Sequence, residues 1–232
     1  MMEMELMLLS VRISFFSSKT EGTMEETFYE ATSNGKMEEV KEILRKNPTP
    51  NVNWKNDSGW TAIHVACWTG RDAIVSVLLA HPDIDLNLKN NGGYTPFSNA
   101  CCNNGSASCV REMLKDSRVK VNEPANDGCT PLWRAARAGH LAVIKWWIAS
   151  ERGMDLGKPG DVDKTDAIGV AKGQGKTEVA TLLERFKSDA TKTRGEVRME
   201  LGINGQSPVP PFSFKSQHFQ TIFYFFPIQI FL

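Results

Sequence analysis

The sequence lacks a net charge, a long hydrophobic run and a cysteine pattern, and each absence removes a class of function. Its 27 acidic side chains balance 27 basic ones over 232 residues. No electrostatic case therefore exists for nucleic acid or for an anionic membrane surface. The five cysteines do not read as a disulfide framework. Cys67, Cys101, Cys102 and Cys109 fall at helical positions and Cys129 at a hairpin tip, with no metal-ligand spacing among them. Reduced thiols in a cytoplasmic or nuclear protein are the simplest reading. No secretory signal is expected, since Glu3 and Glu5 occupy the region where positive charge belongs and Arg12 interrupts the apolar run. The apolar segment TIFYFFPIQIFL near the C-terminus is broken by Pro227. It also falls short of the roughly 20 apolar residues of a helical membrane span. The 41% hydrophobic content that remains suffices for one ordinary folded body.

What the chain does have is a pattern repeated four times at intervals of 34 to 36 residues. It reads SGWTAIHVACWTG (58–70), GGYTPFSNACCNNG (92–105), DGCTPLWRAARAG (127–139) and KTDAIGVAKGQG (164–175). Ile63, Phe97, Leu132 and Ile168 share one slot, and Ala66, Ala100, Ala135 and Ala171 fall together three residues later. Such a period means stacked supersecondary units, each contacting mainly its neighbours. A stack offers one long surface rather than a deep pocket, which favours binding over catalysis.

Local signals agree within each copy. Gly59, Gly93 and Gly128 stand where a tight turn needs positive φ. Thr61, Thr95 and Thr130 suit an N-cap, and Pro96 and Pro131 follow at the first helical position, where no amide donor is needed. A short helix carries the alanine slot and ends at Gly70, Gly139 or Gly175. A second helix follows with apolar residues at helical spacing, such as Ile74, Val75, Leu78 and Leu79. Helices this short need an adjacent unit to hold them.

The pattern resembles the ankyrin repeat, whose Thr-Pro-Leu-His signature appears here as TAIH (61–64), TPFS (95–98), TPLW (130–133) and a degenerate DAIG (166–169). Asn53, Asn87 and Asn122 match the Val-Asn step of that family, and FYEATSNGKMEEVKEIL (28–44) resembles a capping repeat with a charged second helix. The resemblance implies an all-α solenoid, an ankyrin repeat stack of helix-turn-helix units joined by β-hairpin loops. About five units are expected, including the N-terminal cap. The expected boundaries are a cap at 24–56 and repeats at 57–90, 91–125, 126–160 and 161–190. An N-terminal extension (1–23) precedes them. A short charged helix (191–202) either closes or leaves the stack. Residues 203–232 hold eight aromatics and a single charge, Lys215. This tail is read either as a gene-model artefact or as a genuine hydrophobic segment that docks on something.

Three tempting motifs give way to structural readings. GQGKT (173–177) resembles the end of a phosphate-binding loop, but Val170 stands where that motif needs glycine, and no strand precedes it. His64 occupies the histidine slot, where the family uses it to hydrogen-bond neighbouring loops, and His140 is structural by the same resemblance. The carboxylates Asp83, Asp85, Asp161, Asp163 and Asp166 lie in inter-repeat loops and read as turn caps. No catalytic, cofactor-binding or metal-ligating residue is assigned.

Family resemblance implies partner contacts at the hairpin tips and the exposed face of each first helix. On this chain those slots hold Trp60, Trp68, Thr69, Tyr94, Asn103, Asn126, Asp127 and Arg137, with Cys102 and Cys129 among the neighbouring positions. Tryptophan, tyrosine and arginine are over-represented in binding hot spots. Packing of Trp60 on the adjacent hairpin, and of Trp68 on the next helix, is the competing reading. The expected function is a non-enzymatic adaptor that binds another protein through its concave surface. Two alternatives are a targeting fragment of a larger enzyme or signalling protein truncated after about residue 202, and an ankyrin protein tethered to a membrane by its aromatic tail.

Overall fold

The computed structural model describes residues 22–47, 51–102, 106–157 and 165–203. The aromatic tail beyond Ile203 and the extension before Gly22 lie outside the described residues. Among those described, eleven α-helices and no strand are present. They are α1 (Met24–Ser33), α2 (Met37–Lys46), α3 (Ala62–Trp68), α4 (Asp72–Leu79), α5 (Pro96–Cys102), α6 (Ala107–Leu114), α7 (Pro131–Ala138), α8 (Leu141–Ala149), α9 (Ala167–Gly173), α10 (Thr177–Ser188) and α11 (Ala190–Glu200).

The odd-numbered helices from α1 to α9 pack side by side in one row, and the even-numbered helices from α2 to α10 form a second row behind it. Several starts in the first row are set by side-chain caps. The Thr130 hydroxyl accepts from the Trp133 amide at 3.2 Å, and Thr95 does the same for Ser98 at 3.2 Å. In the degenerate copy Asp166 takes over, accepting from the Gly169 amide at 2.7 Å. At the N-terminal end, Thr23 and Glu26 form a reciprocal capping box on α1.

The aligned slots form the core. Ile63, Phe97, Leu132, Ala66, Ala100, Ala135 and Ala171 are all fully buried between the rows. Trp147 of α8 is also fully buried and meets Phe97 edge-on at 5.0 Å, tying one unit to the next. The small alanine slot lets first helices approach closely, so the row stays tight.

Between units, asparagines do the stitching. Asn53 donates to the Asp83 carbonyl (2.7 Å) and accepts from the Asp85 amide (2.9 Å). Asn87 makes the same two bonds with Arg118 (2.9 Å) and Lys120 (2.7 Å), and Asn122 with Gly153 (3.0 Å) and Asp155 (3.2 Å). A carboxamide supplies both a donor and an acceptor, which explains the residue type in this slot.

The hairpin tips are linked as closely. The Asn91 amide donates to the Ser58 carbonyl at 3.1 Å, and the Asn126 amide to the Gly92 carbonyl at 3.2 Å. Gly93 has φ of 80°, and a Cβ there would stand 2.5 Å from the Asn126 backbone nitrogen. Glycine is therefore required twice at this point, by conformation and by the approach of the next tip.

The charged helix closes the array. α11 lies against α8 and α10, buries Thr193 and Val197, and pairs Glu200 with Lys145 (2.6 Å) and Arg198 with Glu151 (3.0 Å).

Candidate functional site

Hairpin tips and first helices turn their free side chains toward a common face. There the tips following α2 and α4, together with α3, α5 and α7, enclose an open groove of about 470 Å³. Trp60, Trp68 and Tyr94 form its aromatic walls, and Asn99, Cys102 and Arg134 line it as well. Trp60 meets Trp68 edge-on at 5.8 Å and lies 6.0 Å from the His64 ring. Trp60 is half-buried in this arrangement, whereas Trp68 keeps 40% of its surface exposed.

His64 holds the groove in shape. The Thr61 amide and hydroxyl both donate to its Nδ1, at 3.2 and 2.7 Å, and its Nε2–H donates to the Tyr94 carbonyl at 3.0 Å. That ring therefore carries its proton on Nε2 and spans two units. Burial lowers its pKa to about 4, against weaker support from the backbone of Tyr94 and Leu88, so the imidazole is neutral near pH 7. Trp133, in the same slot two units on, sends its indole Nε1–H to the Thr165 carbonyl at 3.1 Å. Tryptophan thus replaces the histidine bridge with a single donor, whereas Ser98 in the intervening slot is too short to span.

On the far wall the Arg134 guanidinium lies 4.4 Å over the Tyr94 ring and pairs with Asp127. Burial opposes ionisation of Asp127, but hydrogen bonds from Arg134 and the Cys129 amide prevail and hold its pKa below the ordinary aspartate value. Arg137 is exposed and stands 5.8 Å over the buried Trp133.

Of the residues expected at the site, Trp60, Trp68 and Tyr94 meet in the groove, and Asp127 borders it through Arg134. Three others have local occupations. The Thr69 hydroxyl donates to the Val65 carbonyl at 2.7 Å, the Asn126 carboxamide to the Asn91 carbonyl at 2.9 Å, and Arg137 covers Trp133. Asn103 lies outside the described residues. Cys129, expected at an accessible tip, is instead 2% exposed and packs into the core cluster. Its slot matches that of Trp60 and Tyr94, but a small apolar thiol folds inward where the larger rings cannot. Asn99 and Arg134 also line the groove, though neither is among the residues expected there. Both occupy the slot directly after the signature histidine, where Val65 and Val170 stand in other units.

None of the five cysteines forms a disulfide, and burial pushes the thiols of Cys67 and Cys101 well up and that of Cys102 to about 11. No cluster of metal-ligating side chains occurs among the described residues, and none of their helices is long and apolar enough to cross a membrane.

Residues 14–90 and 82–159 match the family model for ankyrin repeats (3 copies). The matches span more than half of the chain, which belongs to the ankyrin repeat family. No curated protein sequence matches it. Ankyrin repeats are in general protein–protein interaction modules, typically without enzymatic activity.

Proposed function

We propose that this protein is a non-enzymatic adaptor that binds a partner protein through the concave groove at Trp60, Trp68 and Tyr94, in the cytoplasm or nucleus. The observation that carries this reading is Trp68. A large indole left 40% exposed beside a second indole, on a face framed by hydrogen-bonded tips, has apolar surface that the isolated stack leaves uncovered. It supplies a rigid apolar anchor instead. A preformed surface loses little conformational freedom on binding, and a standard interface of about 1,200–2,000 Å² fits across three adjacent units. Five cysteines without a disulfide among them support the reading of a reducing compartment.

The test is affinity purification with the full chain and with Trp68→Ala, followed by mass spectrometry. Proteins retained by the first and lost by the second are the expected result. Affinity should fall by about 2 kcal/mol or more, while the variant keeps a single cooperative thermal transition. A Trp68→Ala protein that mainly unfolds would remove this residue from the contact surface.

A further inference from the structure

We propose that the groove captures an acidic side chain, aspartate or glutamate, from an extended segment of the partner, with a bulky apolar neighbour of that acid lying against Trp68. The inference rests on the partner-binding reading above and adds the chemistry of what is bound.

Its starting point is Asn99, which is 1% exposed, lines the groove and has no hydrogen-bond partner for its amide nitrogen. Folded proteins rarely leave a buried donor unsatisfied, because the group has lost water and gained nothing. Packing does not demand asparagine here. The equivalent slots in other units hold Val65 and Val170, both buried without difficulty. A polar residue placed where the fold accepts valine, its unpartnered amide buried in the wall of an open groove, points to an acceptor that arrives from outside.

Arg134 occupies the same slot in the following unit, and its Nε–H is likewise buried and unpaired. Its outer nitrogen holds Asp127 and its plane covers Tyr94, so the group is fixed before any ligand arrives. The groove therefore holds one neutral and one cationic side chain, and the carboxylate that borders it, Asp127, takes only the outer nitrogen of Arg134. A carbonyl could satisfy the neutral donor, but a carboxylate has oxygens for both and complements the arginine charge. The exposed edge of Trp68 then meets the residue beside the acid, since neighbouring side chains of an extended segment point to different sides.

The test is selection of random displayed peptides on the full-length chain, repeated with Trp68→Ala, Asn99→Ala and Asn99→Asp. Asn99→Ala breaks no hydrogen bond, so its melting temperature should equal or exceed that of the parent, which verifies the fold. Selected peptides should share an aspartate or glutamate next to a bulky apolar residue. Replacing that acid by its amide should weaken binding to the parent about tenfold or more, and Asn99→Ala should itself weaken the acidic peptide about fivefold or more. Asn99→Asp should reject the acidic peptide and keep the amide version. Peptides that need Trp68 but show no acid preference would overturn the carboxylate inference and leave the interaction face standing. Acidic peptides indifferent to Asn99→Ala would overturn it as well. Selection of no peptide sensitive to Trp68→Ala would remove both readings.

Discussion

His64 shows how a single side chain ties an array together and makes it sensitive to acid. Its pKa is lowered from 6.5 to about 4 by burial, with Lys55 adding to the effect. The unfolded chain therefore takes up a proton at a pH where the folded chain does not. Stability contributed by the neutral ring is complete above pH 6.5 and falls as the pH drops toward 4. The loss amounts to about 3 kcal/mol at this site. Denaturant unfolding of the parent at pH 7 and pH 4.5 should show that loss, and His64→Gln should flatten the slope. Some slope should survive in the variant, because burial also lowers the pKa of His81. The structural role of His64 was implied by the resemblance to the ankyrin family, whose histidine slot it fills. The importance of Asn99 was not. Only the packing of α5 shows that its amide is both buried and unpartnered, and periodicity carries no information about hydrogen bonds left unmade.

Short helices and tips follow their punctuation closely. Threonine and proline start α5 and α7 where expected, and Gly139 ends α7 with φ of 83°. The same positions show why the tips cannot drift. Gly93→Ala would force both an unfavourable backbone and a clash with the Asn126 amide. It should destabilise the protein by about 1–3 kcal/mol, read as a lower denaturant midpoint. The charged pattern of α11 alone names no neighbour, so it does not say whether this helix closes or leaves the stack. The structure settles this through Arg194, whose Nε–H reaches the Ile148 carbonyl at 3.1 Å, and through the ion pairs to α8 and the following turn. Inward folding of Cys129 was equally illegible, because its slot elsewhere carries a large ring.

The described residues form a row of units tied to their neighbours, with different helices at its two ends. α2 fully buries only Val40 and covers its outer side with exposed ion pairs such as Lys36–Glu39 and Lys41–Glu38. α10, at the other end, is covered by α11. Exposed ion pairs add little to stability, so the two ends are unequal. Native-state amide exchange should be slowest in α5 to α8, intermediate in α10 and fastest in α1 and α2. Equal protection at both ends would contradict this asymmetry. The asparagine ties bear on mechanics too. Asn53, Asn87 and Asn122 each reach only the adjacent unit, so a force applied along the row loads these ties in series. Under tension the molecule should peel stepwise from the Met24 side, one unit per rupture, and recoil in the opposite order when released.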